Sequence, residues 1–262
     1  MSNSTSNLQL VSRVAKLLRL LAANNRTGMR LVDILRAGAF ERSTAHRLLQ
    51  SLVAEGLVIQ DRETKRYYVG MAIYEMGVTV PSQRMRDLCL PYLKRLALGA
   101  RSSVFLSVRS GFDGVCVDRE EGGEPIAYVV EPGRRRPLSI GVSNIALLSC
   151  LSESEIERIR TENWPRVREC YPEYTQQEIT ARLRAARDHG FVLADVLQRP
   201  GIRAMGMPVR DARGQPLAAI GMSALQERWS TRRTDHVVTL LRQTVDSIRD
   251  ELSVTRLVLP SL

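Results

Sequence analysis

Residues 42–58, RSTAHRLLQSLVAEGLV, carry apolar side chains at Ala45, Leu48, Leu49, Leu52 and Val53, the three-and-four spacing that gathers side chains on one side of a helix. At about 100° per residue, Ser43, Arg47, Gln50 and Ala54 point the other way, flanked by Thr44, His46 and Ser51. These side chains suit a DNA groove. Arginine can bond guanine bidentately, glutamine can do the same to adenine, and serine or threonine reach phosphates or base edges. Taken alone, the segment fits an ordinary surface helix with a mixed polar face equally well.

Its neighbours tip the balance. Residues 30–37, RLVDILRA, form a short amphipathic pattern with Leu31, Ile34 and Leu35 on one face, closed by Gly38. After Gly56, residues 57–60 and 67–69 have strand propensity, and the polar run 61–66, DRETKR, fits a hairpin loop between them. A basic hairpin placed there reads as a wing, with Arg62, Lys65 and Arg66 able to meet phosphates or the minor groove; plain solvation is the other reading. An earlier helix over 10–23 aligns Val11, Val14, Leu17, Leu18 and Leu21 for packing, and residues 1–7, MSNSTSN, read as a polar disordered tail with no apolar core for a signal peptide. Helix, helix, turn, helix and wing predict a winged helix-turn-helix domain over residues 8–70. Arg42, Ser43, Thr44, Arg47 and Gln50, with Arg62, Lys65 and Arg66 of the wing, are its candidate contacts to double-stranded DNA.

Charge agrees with that partner. The net charge is +10; residues 1–80 carry 11 basic and 6 acidic side chains, so half of the excess sits in under a third of the chain. Such a module gains affinity by releasing counterions. Arginine outnumbers lysine 35 to 3, a bias that genome composition also produces, so not every arginine marks a contact.

At 262 residues with 44% hydrophobic composition, the chain is long enough for two domains with real cores. No stretch approaches a membrane span, and a cytoplasmic location is expected. Cys89, Cys116, Cys150 and Cys170 are widely spaced, which predicts buried thiols in a reducing compartment and neither a zinc site nor a disulfide framework. A linker helix region is expected over 71–83, with a helix over 82–98 following Pro81. Beyond it, strands are expected over 103–108, 113–119, 126–130, 191–196, 204–209 and 217–225, and helices over 145–151, 153–160, 176–189 and 234–254. That is an α+β second domain, residues 84–256, with a mostly antiparallel sheet flanked by helices.

Catalysis finds little support. The histidines are His46, His189 and His236, and no serine elbow, phosphate loop or metal spacing is present. Glu120 and Glu121 fall in a polar turn expected over 118–123. A ligand-independent architectural DNA-binding protein would not need the long second domain.

The run LVDILRAGAFERSTAHRLLQSLVAEGLV, followed by RYYVG, resembles the IclR family of bacterial transcriptional regulators, and the resemblance extends over about residues 8–254. STAHRLL in this setting is its most specific part. Glu41 stands where the family usually has proline. The resemblance implies a GAF-like effector-binding domain after residue 80, a homodimer or dimer of dimers on a pseudo-palindromic operator, no cofactor, and a small organic acid as effector, aromatic or otherwise. The segment 133–151, GRRRPLSIGVSNIALLSCL, departs from the family pattern: histidine is commoner where Ser139 stands, and a Gly-Lys pair where Asn144 and Ile145 stand. Gly141, Val142, Ser143 and Asn144 lead into a helix whose free N–H groups and dipole suit a carboxylate. By family position Ala204, Met205, Gly221 and Ser223 would line the same cavity. Local backbone capping by Ser143, Asn144 and Ser223 is the alternative. Arg134, Arg135 and Arg136 read most simply as a solvated loop.

Overall fold

The computed structural model describes residues 2–38, 40–123 and 130–255. The chain divides into two compact units, residues 1–80 and 81–262.

In the first unit α1 (Ser2–Ala23), α2 (Leu31–Gly38) and α3 (Arg42–Ala54) precede a hairpin of β1 (Val58–Gln60) and β2 (Tyr67–Val69), and α4 (Met71–Gly77) follows. The polar lead expected to be disordered is instead drawn into α1 from Ser2, with no proline or glycine to stop the helix. One core joins the elements: Leu17 and Leu21 of α1, Ile34 of α2, Leu48, Leu49 and Leu52 of α3, and Val58 and Tyr67 of the hairpin. Two residues expected on the inward stripes are exposed, Val11 at 69% and Val53 at 39%. Both sit at the margin of a stripe whose centre is already filled by the leucines, so the small core has no room for them. The hairpin pairs Val58 with Val69 and Gln60 with Tyr67, and an isolated bridge from Met29 to Tyr67 ties it to the segment before α2.

The second unit opens with α5 (Pro81–Ala100), its proline at the first helical position where a missing N–H costs nothing. Then come β3 (Ser103–Ser110), β4 (Asp113–Glu120), β5 (Arg135–Pro137), α6 (Val142–Leu148), α7 (Glu153–Cys170), α8 (Gln176–His189), β6 (Val192–Asp195), β7 (Ile202–Arg210), β8 (Pro216–Leu225), a single 3-10 turn (Gln226–Arg228) and α9 (Thr231–Thr255). The strands form one antiparallel sheet in the order β5-β4-β3-β8-β7-β6. Of the strand expected over 126–130, only Val130 lies within the described residues. The turn expected from residue 118 is still strand: β4 runs on through Glu120, and Asp118 is buried beside Arg86 at 3.2 Å.

Strand alternation sends side chains to two cores. On one face Val104, Leu106, Met205, Met207, Ile220 and Met222 pack under α5 and α9, where Val237, Leu241, Val245, Ile248 and Leu252 form the expected stripe. On the other, Ala204 and Ala219 meet α6, α7 and α8. Two thiols depart from the expected burial, Cys150 being half-buried and Cys170 exposed at the end of α7. Among the described residues there is no group of acidic, histidine and cysteine side chains arranged to hold a metal, and no helix long and apolar enough to cross a membrane.

Candidate nucleic-acid interface and ligand cavity

The buried stripe of α3, Ala45, Leu48, Leu49 and Leu52, fixes which face is left over. Arg42, Ser43, His46, Arg47, Gln50 and Ser51 are exposed and Thr44 is half-buried. The polar face therefore stands free along the whole helix, wide enough for groove contacts. Glu41 occupies the N-cap position without making a side-chain capping bond. The carboxylate contributes only its favourable charge to the dipole there.

The wing turn is held by Asp61. Its Oδ1 accepts from the backbone N–H of Glu63 at 3.1 Å and Thr64 at 2.6 Å, and from the Thr64 hydroxyl at 2.7 Å. Lys65 takes a left-handed backbone, φ 56°, to close the loop. Arg62 and Lys65 are exposed. Arg66 differs: its Nη1 donates to the carbonyls of Thr27 at 3.3 Å and Gly28 at 2.9 Å, bracing the hairpin against the segment before α2.

The hydrogen bonds from Thr64 lower the Asp61 pKa below the usual carboxylate range. A depressed pKa contributes stability above the unfolded value and loses it as pH falls through the folded one. The wing turn is thus expected to open only at a pH below the midpoint of an unstructured aspartate. Amide chemical shifts of Glu63 and Thr64 followed down a pH titration check this; a midpoint at or above that of an unstructured aspartate would contradict it.

In the second unit the start of α6 rests directly on the sheet. A Cβ at Gly206 of β7 would lie 2.6 Å from the carbonyl carbon and oxygen of Val142, and one at Gly221 of β8 would strike Ser143 Oγ. Gly141, at φ 90° and ψ 151°, makes the sharp approach that L residues rarely adopt. Beside this contact the sheet curls around a cleft open to solvent, whose empty space, open solvent included, is about 590 Å³.

Of the residues expected there, Gly141, Val142, Ser143, Asn144 and Ala204 line the cavity. Met205, Gly221 and Ser223 are not among its lining residues. Met205 faces the α5 and α9 side, because neighbours along a strand point to opposite faces. Gly221 is covered by Ser143, and Ser223 lies buried two residues further along β8. Asn144 serves the local backbone, its Nδ2 donating to the carbonyls of Pro137 at 3.2 Å and Ile140 at 3.0 Å. Ser143 does not: its hydroxyl is buried and has no hydrogen-bond partner among the described residues. An unsatisfied buried hydroxyl costs about 1–3 kcal/mol, which a ligand oxygen would recover.

The arginine triplet is only in part the solvated loop expected: Arg134 and Arg135 are exposed, and Arg136 is half-buried. Residues 135–137 are the edge strand β5, and Arg134 and Arg136 both line the cavity. Arg135 between them turns to the buried Asp113 at 3.0 Å. Asp113 also pairs with Arg166 of α7, while Asn163 Nδ2 donates to Phe112 O at 2.6 Å. Arg182 of α8, 8% exposed, is a further cationic lining residue. Its Nε pairs with Glu178 at 2.7 Å, its Nη2 donates to the Asp195 carbonyl at 3.0 Å, and its guanidinium lies 5.3 Å from the Tyr174 ring centre. Asp195 itself also lines the cavity and pairs with Arg203 at 2.7 Å. Cys116 contributes a neutral wall: burial pushes its thiol up to about 12, and it bonds the Asp118 carbonyl at 3.3 Å.

Comparison with known proteins matches both units. Residues 10–62 match the IclR helix-turn-helix domain, and residues 77–250 match the bacterial transcriptional regulator IclR C-terminal family. The chain belongs to the IclR family. It is 25% identical over 230 residues to the HTH-type transcriptional regulator XynR of Escherichia coli K12, covering 84% of this chain and 89% of that protein. It is 28% identical over 226 residues to the glycerol operon regulatory protein of Streptomyces coelicolor, covering 85% and 87%. An IclR homolog from Microbacterium hydrocarbonoxydans, complexed with 4-hydroxybenzoate, superposes with a TM-score of 0.77 at 22% identity over 94% of this chain and 99% of that one. As an IclR-family member among named regulators and repressors, the chain is a DNA-binding transcriptional regulator with an effector-binding domain, and not an enzyme.

Proposed function

We propose that this regulator reads a pseudo-palindromic operator through α3 and adjusts its hold on that DNA when a small organic acid enters the cavity of the second unit. Arg47, Ser43, Thr44 and Gln50 contact base edges, with Arg42 at the helix start, while Arg62 and Lys65 hold phosphates. Arg66 sets the angle of the wing. The chain acts in the cytoplasm as a homodimer or dimer of dimers, which an operator with two-fold symmetry requires. Met71, Tyr74 and Val78, spaced three and four apart and exposed at 66%, 67% and 46%, support a second copy as the cover of that apolar face.

The observation that carries the effector reading is the unpartnered Ser143 Oγ in a cavity also lined by Arg134, Arg136 and Arg182. A donor hydroxyl among guanidiniums suits a carboxylate, and the apolar lining from Phe105, Ile140 and Val142 suits a carbon skeleton. The 4-hydroxybenzoate held by the Microbacterium homolog belongs to the same chemical class. Titration of the purified protein with aliphatic and aromatic carboxylates, including 4-hydroxybenzoate, is expected to find members that raise its melting temperature and change its operator affinity. A flat response in both readouts across the panel would count against the reading.

A further inference from the structure

The cationic groups of the cavity are not clustered; they sit at its two ends. Arg134 and Arg136 come with β5, one outermost strand, where Arg136 pairs with Gly114 of β4. Arg182 is fastened to the other outermost strand, through its bond to the carbonyl of Asp195 at the end of β6. The four strands between them curl so that both edges face one space. The lining between these ends is largely apolar, from Phe105 on β3, Ala204 on β7, and Ile140 and Val142 above them.

Arg182 is built into its place. It is 8% exposed and braced by Glu178, the Asp195 carbonyl and the Tyr174 ring. A guanidinium carries five N–H donors, of which the Glu178 and Asp195 contacts use two, so Arg182 can also meet an anion at the cavity wall, where the neighbouring Asp195 carboxylate is held by Arg203. The β5 end, at the opposite edge of the sheet, offers a second cationic site.

We propose that the effector carries two anionic groups, one at Arg134 and Arg136 and the other at Arg182, with an apolar spacer lying along Phe105 and Ile140. Ser143, midway along the sheet over Gly221, donates to an oxygen on the spacer or on the nearer carboxylate. This rests on the reading of the cavity as the effector site and narrows it to the dicarboxylate class.

The test is calorimetric titration of the full-length protein, at fixed ionic strength, with the α,ω-dicarboxylates from succinate to suberate and with the monocarboxylates of equal chain length. At one spacer length the dicarboxylate is expected to bind at least about tenfold tighter than its monocarboxylate, the worth of one added charge-assisted contact. Arg182→Gln and Arg136→Gln should each erase most of that advantage while changing monocarboxylate affinity less. Arg134→Gln, at an exposed position, probes the β5 end should either other variant fold poorly. Equal affinity of the two series at every length, or variants that weaken both series by the same factor, would overturn the two-ended site and leave the carboxylate-sensor reading standing. Failure of both series, and of the wider carboxylate panel, would remove both.

Discussion

Arg47→Ala is expected to reduce operator affinity by about 5- to 150-fold, corresponding to the 1–3 kcal/mol of a bidentate base contact, while leaving the fold intact. Arg47 stands exposed at the centre of the free face of α3, opposite Ala45, Leu48, Leu49 and Leu52. No packing is lost with its side chain. Affinity for a random duplex at the same salt should fall far less, because that binding is mostly electrostatic and many basic side chains share it. Fluorescence anisotropy with operator and scrambled duplexes gives the ratio directly. An unchanged ratio would show that α3 does not read bases through Arg47.

Gly206→Ala should lower the melting temperature of the effector-binding unit by roughly 6–12 °C, from about 3 kcal/mol of overpacking at about 2–4 °C per kcal/mol. The added methyl would meet main-chain atoms, Val142 C and O at 2.6 Å and Ser143 N at 2.9 Å, which cannot rotate away. The start of α6 must lift from the sheet, carrying Ser143 with it. Gly99→Ala is the control: a helical glycine whose Cβ would find its nearest neighbour at 3.7 Å, expected to be neutral or slightly stabilising. Calorimetry on the two variants checks the pair. Equal melting temperatures would show that α6 is not seated on Gly206.

The contrast between these two residues marks what local pattern carries. Arg47 can be placed from spacing alone, since the apolar positions Ala45, Leu48, Leu49 and Leu52 fix which side of α3 faces its own core. Gly206 is a strand glycine like any other until α6, some sixty residues earlier in the chain, is seen lying on it. The arginine triplet failed for a related reason. β5 has three residues and owes its existence to β4, not to propensity, so its composition resembles an exposed loop. Arg182 did leave a signal. It shares the inward stripe of α8 with Ile179, Leu183 and Ala186, and a charged residue on an apolar stripe points to a buried partner.

Sequence by itself determined the helix-turn-helix and its wing, the α+β character of the second domain, the segment 141–144 as part of the cavity, and the family. These follow from residues close together in the chain, where periodicity, turn chemistry and short motifs act. Only the tertiary structure decided that Arg66 braces the wing, that Met205 turns away from the cavity, and that Arg134, Arg136 and Arg182 converge on it. Those outcomes depend on which strands become sheet edges and how the sheet curls, and such long-range pairing leaves no period in the sequence for a reader to find.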